Sequence, residues 1–286
     1  DLNELANMLE GFTSSDISYI AKNTIDKALL NNVENLSIDN FKQVIKEFAK
    51  ERDLSTDFSA LDKTTQYDKV KKRERIKSPR GFVDVAGMEA IKQQLKTIII
   101  DKLNPEVAER YRRNNFPLFT DGIMLYGKPG NGKTFIVEAL AGEAKLPLYK
   151  ITKADYDTSL KGEAGNNLAK IFKQLETKFE KTGEYSILFF DEADAIFPKR
   201  GSGNSNLNDE ETNTMLQYLN NCTRKGIIPI LATNFMDKID SAVLSTGRVG
   251  THIEIPTPDF DARKEIFKIA IRDKDIAKDI TDKDLN

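Results

Sequence analysis

The chain has 286 residues, which is long enough to bury one large or two moderate hydrophobic cores. Lys and Arg number 43 and Asp and Glu number 45, so the net charge gives no overall attraction to nucleic acid or to anionic membranes. The single cysteine, Cys222, excludes an internal disulfide framework and favours a reducing compartment. Since no apolar run approaches the roughly 18–20 residues of a membrane span, we expect no membrane segment in this chain and a cytoplasmic location.

Residues 1–49 predict a small helical bundle of three segments. Gly11 suits the end of the first helix, and Thr13 or Ser14 can cap the second. Apolar residues at helical spacing form one face of the second and third helices: Ile17, Ile20, Ala21, Ile25 and Ala28, then Phe41, Val44, Ile45 and Phe48. Such a core is thin, so we expect the bundle to pack against a partner.

Residues 50–81 predict a charged linker. The segment is polar throughout and ends near Pro79 and Gly81. Its run "KKRER" could indicate contact with nucleic acid, but the balanced charge of the chain favours a solvated segment.

From Phe82 onward, short apolar segments alternate with amphipathic ones. The segments "GIMLYG", "LPLYKI", "YSILFF" and "IIPILATN" read as strands, and helical patterns separate them. Continuous apolar strands between helices are typical of a parallel sheet that helices cover on both faces. The sequence therefore predicts an α/β fold.

The segment "GKPGNGKT" follows the first of these strands and precedes a helix. Glycines in such a loop let backbone N–H groups point at phosphate oxygens, and the following helix N-terminus favours negative charge. Lys133 is expected to reach the β- and γ-phosphates, and the Thr134 hydroxyl to bind Mg²⁺. The residues assigned to the nucleotide are Gly127, Pro129, Gly130, Asn131, Gly132, Lys133 and Thr134.

Polar residues also follow two other strands. In "ILFFDEADAIF", Asp191 is suited to hold Mg²⁺ through water, and Glu192 to accept a proton from a water that attacks the γ-phosphate. Asn234 ends "IIPILATN" and can orient that water. Such residues are often only solvated strand ends or turn residues, but beside a phosphate-binding loop the catalytic interpretation is favoured.

With these motifs in this order, residues 82–272 resemble the large nucleotide-binding domain of an AAA ATPase, within the branch of AAA+ proteins that remodels proteins. The resemblance implies ATP and Mg²⁺ as cofactors, a homo-oligomer that is a hexamer or an open helix, a protein substrate, and no nucleic acid. In "FVDVAGMEAIKQQL", the backbone of Val85 and Ala86 is implied to pack on adenine. Asn234 matches the sensor-1 position, and Arg248 in "STGRVG" matches an arginine finger that acts on the neighbouring subunit.

The sequence departs from the family pattern at two places. Ser245 replaces the first of the two finger arginines, which leaves Arg248. In "YDTSLKGEAGNN", the central pore loop is implied to be Leu160, Lys161 and Gly162, whereas many members carry an aromatic residue there. Substrate threading and an ordinary surface loop both remain open for Leu160.

Residues 1–49 resemble the small helical lid of an AAA module, with Ser14 and Ser15 at the sensor-2 place and no sensor-2 arginine. A lid normally follows the large domain, and here residues 273–286 match only the hinge and the start of one. The chain begins and ends with Asp-Leu-Asn. Two interpretations remain: a circular permutation, which the repeated Asp-Leu-Asn favours, or the lid of one module followed by the large domain of the next.

Three hypotheses for function follow. The first is an ATPase that couples hydrolysis to protein remodelling. The second is a DNA-directed AAA+ loader or initiator, which the near-neutral charge disfavours. The third is an ATP-dependent assembly module with little turnover, for which Ser245 leaves room. His252 is interpreted as structural or exposed and Cys222 as an unreactive buried or surface thiol, because neither belongs to a metal or nucleophile motif.

Overall fold

The computed structural model describes residues 2–30, 36–55, 81–152, 163–199, 213 and 215–271. The chain divides into two compact units. The first, called the helical unit here, takes its described residues from Asp1–Ser78, Ala86–Met88 and Thr257–Asn286. The second, the sheet unit, takes them from Pro79–Val85 and Glu89–Pro256. The sequence predicts a large domain of residues 82–272, which would place residues 257–272 with the sheet. These domain limits stay a prediction.

The helices follow the predicted periodicity, and residues 215–219 add a further helical turn. Those with complete bounds are α1 (Leu2–Met8), α2 (Ser14–Leu30), α3 (Ile38–Ser55), α4 (Glu89–Leu95), α5 (Pro105–Arg113), α6 (Lys133–Ala144), α7 (Glu163–Thr182), α8 (Ala193–Ile196) and α9 (Phe260–Ile271). A π-helical segment, Lys96–Ile100, continues α4 directly. None of the described helices combines the length and the apolar character that crossing a membrane requires.

Side chains cap both long helices of the helical unit. The Thr13 hydroxyl accepts from the Asp16 N–H at 3.2 Å, and the Asp16 carboxylate accepts from the Thr13 N–H at 2.9 Å. This reciprocal pair satisfies two backbone donors that the start of α2 would otherwise leave free. At the start of α3, the Asn40 side chain accepts from the Ser37 N–H at 2.8 Å. Both helices therefore begin close to the positions that the sequence predicts.

The helix α9 completes the core of the helical unit. The predicted apolar faces of α2 and α3 are buried except at Phe48, which is partly buried, and Phe267 of α9 belongs to the same cluster. The Phe267 ring meets the Phe41 ring edge to face, with centroids 4.7 Å apart. Arg263, also buried, donates from Nε to the Ala6 carbonyl at 2.8 Å. The partner that a thin bundle needs is thus a helix from the other end of the chain.

The sheet unit contains five parallel strands: β1 (Ile123–Tyr126), β2 (Leu148–Ile151), β3 (Ser186–Phe190), β4 (Ile227–Thr233) and β5 (Thr251–Glu254). Their order is β2-β3-β4-β1-β5, and every pairing is parallel. The residues of β3 and β4 are buried throughout, whereas the edge strands β2 and β5 are partly exposed. Since central strands covered on both faces have no solvated side, their residues are apolar without alternation. The predicted α/β fold is confirmed.

The main core of the sheet unit joins β3 and β4 to the helical segments packed around them. Phe190 at the end of β3 meets Phe197 edge to face, with centroids 5.5 Å apart. Phe172 and Leu175 of α7 and Leu219 belong to the same cluster. These buried contacts restrain the end of β3, because large core side chains interdigitate with few voids.

Replacing Phe267 by Ala should destabilise the helical unit by about 3–5 kcal/mol, the range for truncating a buried phenylalanine. Hydrogen exchange followed by mass spectrometry should show faster exchange in α1–α3, with β1–β5 unchanged. Tyr19→Ala serves as the control, because Tyr19 lies in α2 but is 56% exposed. Equal loss of protection in the two variants would contradict the packing role of Phe267.

Candidate functional site

The three motifs predicted to bind nucleotide meet at one edge of the sheet. The glycine-rich loop follows β1, Asp191 follows β3, and Asn234 follows β4. Because β4 lies between β3 and β1 and all strands run the same way, their carboxyl ends form one row. In open α/β sheets, ligands bind at this edge.

The loop after β1 has the backbone conformation that its glycines allow. Gly127, Gly130 and Gly132 have φ angles of 144°, 78° and 88°, which side chains strongly disfavour. A Cβ added to Gly127 would overlap the Ile255 carbonyl oxygen. The same carbonyl accepts from the buried Asn131 side chain at 3.3 Å. The segment after β5 thus supports the loop from behind and leaves no room for a side chain at Gly127.

Lys133, at the start of α6, is folded back into the loop. Its ammonium donates to the carbonyls of Gly127 and Lys128, both at 2.9 Å, and the residue is only 8% exposed. Burial lowers the pKa of Lys133 below its usual value, and the carboxylates of Asp191 and Asp194 partly offset this effect. A cation held by loop carbonyls is placed to interact with phosphate oxygens within the same loop.

The Asp191 carboxylate collects three donors from three elements. Its Oδ2 accepts from the Thr134 hydroxyl at 3.1 Å and lies 2.8 Å from the Lys150 ammonium. Its Oδ1 accepts from the Glu192 N–H at 3.1 Å. The sequence alone does not mark Lys150 as a site residue, because its pairing with Asp191 depends on β2 lying beside β3. A lysine in an edge strand carries no such signal in the sequence.

Glu192 and Asn234 are both exposed at this edge. Glu192 has φ of 53°, a left-handed conformation that costs a residue with a side chain about 1–2 kcal/mol. Strained residues of this kind concentrate at functional sites. Beside Asn234, the Thr233 hydroxyl donates to Asp194 at 2.6 Å, which ties the end of β4 to the start of α8. The contribution of Asp194 was also missed from the sequence.

Arg248 is folded onto its own turn. Its guanidinium donates from Nη1 to the Ala242 carbonyl at 2.6 Å, and Ser245 donates to the same carbonyl at 2.9 Å. Its Nε atom is buried and has no hydrogen-bond partner among the described residues. The arginine and the serine at the two predicted finger positions therefore share one acceptor.

The segment predicted to contact adenine is anchored by its backbone. The Val85 N–H donates to the Phe82 carbonyl at 3.1 Å, and both Val85 and Ala86 are buried. The next residue, Gly87, donates its N–H to the Glu265 carboxylate of α9 at 2.8 Å. Ser14 begins α2 and Ser15 is exposed in its first turn.

The remaining predicted residues are those of the pore loop, His252 and Cys222. Leu160, Lys161 and Gly162, predicted as a pore loop, lie outside the described residues. His252 is exposed in β5 and its Nε2 lies 3.0 Å from the Val249 carbonyl. Cys222 is buried, and burial raises the pKa of its thiol to about 12, so it is a poor nucleophile.

The oxygen atoms at this edge fit a magnesium ion. Thr134 supplies a hydroxyl and Asp191 a carboxylate within hydrogen-bond distance of each other, and Mg²⁺ prefers such oxygen ligands with water completing its shell. No set of three or more His, Cys, Asp or Glu side chains in the described part of the chain forms a metal cluster by itself. A ligand that brings its own phosphate oxygens would complete the site.

A parallel sheet with a glycine-rich loop after one strand and an acidic residue after another defines a P-loop nucleoside triphosphatase. Residues 123–257 match the family model described as the ATPase family associated with various cellular activities (AAA). The chain therefore belongs to the AAA ATPase family, whose members use ATP and Mg²⁺.

Two kinds of relative are similar to the chain. The ATP-dependent zinc metalloprotease FtsH of Parabacteroides distasonis is 35% identical over 196 residues, which cover 67% of this chain and 27% of the relative. The cell division cycle protein 48 homolog of Archaeoglobus fulgidus is 30% identical over 292 aligned residues, which cover 100% of this chain and 38% of the relative. The chain thus spans between a quarter and two fifths of the length of these relatives.

Gly127→Ala should lower nucleotide affinity more than about tenfold, because moving the loop forfeits hydrogen bonds to charged phosphate that contribute about 1.5–3 kcal/mol each. The measurement is the Kd of a fluorescent ATP analogue. Gly183→Ala is the matched control, since Gly183 also has a positive φ of 70° but no atom lies within 4 Å of an added Cβ. A Gly127→Ala chain that binds nucleotide as tightly as Gly183→Ala would contradict the steric role assigned to Ile255.

Proposed function

We propose that this chain hydrolyses ATP at the edge formed by β1, β3 and β4. One observation carries the proposal: Thr134 and Asp191 lie 3.1 Å apart, oxygen to oxygen, beside a lysine buried in a glycine-rich loop. Phosphate oxygens, a metal ion and a cation are needed together for phosphoryl transfer, and these residues can hold all of them. The named relatives that are ATP-dependent support the same activity.

In this proposal, some residues bind the nucleotide and others take part in the chemistry. The nucleotide is held by Gly127, Pro129, Gly130, Asn131, Gly132, Lys133 and Thr134, with Val85 and Ala86 on adenine. Lys133 neutralises charge on the β- and γ-phosphates. Thr134 and Asp191 would hold Mg²⁺, which would supply positive charge to the phosphate oxygens. Glu192 accepts the proton of the attacking water, and Asn234 orients that water.

A neighbouring subunit completes the site through Arg248. A finger in trans needs a head-to-tail assembly of identical chains, which closes into a ring such as a hexamer or continues as an open helix. To reach a neighbour, the Arg248 guanidinium has to leave the Ala242 carbonyl that it now contacts. Since its buried Nε finds no hydrogen-bond partner in the described part of the chain, the charged guanidinium is only partly satisfied in this position.

The substrate proposed for the assembly is protein, which the chain would remodel or unfold in the cytoplasm. The support is the similarity to FtsH and to the cell division cycle protein 48 homolog. Leu160, Lys161 and Gly162 are the residues proposed to contact it. The proposal includes no nucleic acid, because the charge of the chain is balanced.

The order of the two predicted domains has support from one comparison. The alignment with the archaeal relative covers 100% of this chain, so the helical segment precedes the phosphate-loop segment in that protein as well. This favours the lid of one module followed by the large domain of the next. The circular permutation stays a prediction.

Glu192→Gln should lower ATP turnover by about 10²–10⁴-fold, the usual contribution of a general base, and leave nucleotide affinity unchanged. Steady-state phosphate release and the Kd of a fluorescent ATP analogue test both halves. Glu184→Gln, which removes an exposed carboxylate at the end of the preceding helix, is the control. Turnover retained in Glu192→Gln would remove this residue from the chemistry.

Turnover per chain should rise with protein concentration if Arg248 acts on a neighbour. Arg248→Ala should then lower turnover about 10³–10⁵-fold, the range for an arginine finger, at every concentration. Arg224→Ala, which removes an exposed arginine from a nearby turn, is the control.

Turnover that is independent of concentration and of Arg248 would contradict the assembly. Tight ATP binding without turnover under any condition would favour the assembly module instead. Salt-sensitive binding of DNA would favour the loader hypothesis.

A further inference from the structure

The edge strand β2 places a second lysine at the proposed metal site. The Lys150 ammonium lies 2.8 Å from Asp191 Oδ2 and 5.6 Å from the centre of the Phe189 ring. Lys150 and Phe189 are register partners in the β2–β3 ladder, so the strand pairing itself sets the reach of the lysine. Neither the glycine-rich loop nor the turn that carries Arg248 contributes to the contact between Lys150 and Asp191.

The contact occupies the carboxylate oxygen that faces the phosphate loop. Oδ2 of Asp191 accepts from Thr134 at 3.1 Å and is paired with Lys150, while Oδ1 is taken by the Glu192 N–H. A carboxylate has room for about four such partners. The lysine therefore supplies positive charge at the oxygen through which Asp191 would act on a metal ion.

A divalent cation at Asp191 and this ammonium would weaken each other's attraction to the carboxylate. Both are attracted to one carboxylate, and at separations of a few ångströms they repel each other, because like charges there are screened only partly by water. A metal that arrives with nucleotide therefore competes with Lys150 for Asp191.

From this geometry we propose that Lys150 is an internal counter-ion, which neutralises Asp191 in the nucleotide-free site and has to withdraw when Mg²⁺ binds with nucleotide. The inference rests on the metal role proposed for Asp191. Lys150 is 38% exposed and Asp191 22%, so the ammonium can withdraw into solvent without a change in the fold. The consequence is a metal affinity lower than Thr134 and Asp191 would otherwise give.

The pair of Lys150 and Asp191 also gives the carboxylate a defined position before nucleotide binds. Without a cation beside it, the negative charge of a partly buried carboxylate would repel the incoming triphosphate. Lys150 removes that charge while leaving Asp191 beside Thr134. When Mg²⁺ replaces the Lys150 ammonium at Asp191, nucleotide and metal can bind together.

The test compares nucleotide affinity with and without metal. The Kd of a fluorescent ADP analogue is measured in EDTA and in saturating Mg²⁺. The Kd in EDTA divided by the Kd in Mg²⁺ is the ratio that reports how strongly the metal supports binding. Lys150→Met and Lys150→Gln should each raise this ratio about two- to fivefold over the unaltered chain, since partly exposed ion pairs contribute modestly. Lys150→Arg keeps the charge and should leave the ratio close to that of the unaltered chain.

A matched control separates the local contact from the loss of one positive charge. Lys178→Met removes a lysine that pairs with Glu184 at 2.8 Å and does not contact Asp191, so its ratio should not change. A ratio that stays constant or falls in both neutral Lys150 variants overturns the inference. If the unaltered chain itself shows no effect of Mg²⁺ on nucleotide binding, the proposed metal site is what fails.

Discussion

The proposed chemistry depends on the position of one side chain, the carboxylate of Asp191. Asp191 follows a strand that is buried along its whole length, and its oxygens receive donors from β2, from the first turn of α6 and from the backbone of the next residue. Three parallel strands must end at the same edge for these donors to meet. If β3 shifted by one residue, its side chains would change faces and the carboxylate would leave the edge.

The phosphate loop depends on a second constraint, which lies behind it. The Ile255 N–H donates to the Tyr126 carbonyl at 2.7 Å, and the Ile255 carbonyl accepts from Asn131. This contact occupies the space that a side chain at Gly127 would need. The segment after β5 is far from the loop in the chain and is brought beside it by the β1–β5 pairing. The loop is therefore shaped by the sheet as well as by its glycines.

In the helical unit, packing joins segments from both ends of the chain. Phe267 supplies a large buried side chain, and Arg263 reaches carbonyls at Ala6 and Pro258. A buried arginine is stable only when its donors are satisfied, and here backbone carbonyls satisfy Nε and Nη1. Glu265 on the same helix also holds the backbone of Gly87. Within this unit, one helix thus contacts both the small bundle and the backbone of Gly87.

Local sequence patterns determined most of the elements. Continuous apolar runs identified β1 to β4, because a central parallel strand has no solvated face, and the capping residue Thr13 marked where α2 begins. The complete glycine-rich motif identified Lys133 and Thr134, since only a few residue types can form a phosphate loop. These signals are local, and each can be read from a short segment.

The tertiary structure decided which segments meet. Lys150 pairs with Asp191 because β2 lies beside β3, and α9 completes the helical core although its own pattern is that of an ordinary amphipathic helix. Asp194 and Ile255 support the site through contacts with residues that are distant in the chain. The sequence by itself determined the chemical groups of the site and the strands that carry them. Their partners depend on strand order and helix packing, which are set by the burial of the whole core rather than by any one segment.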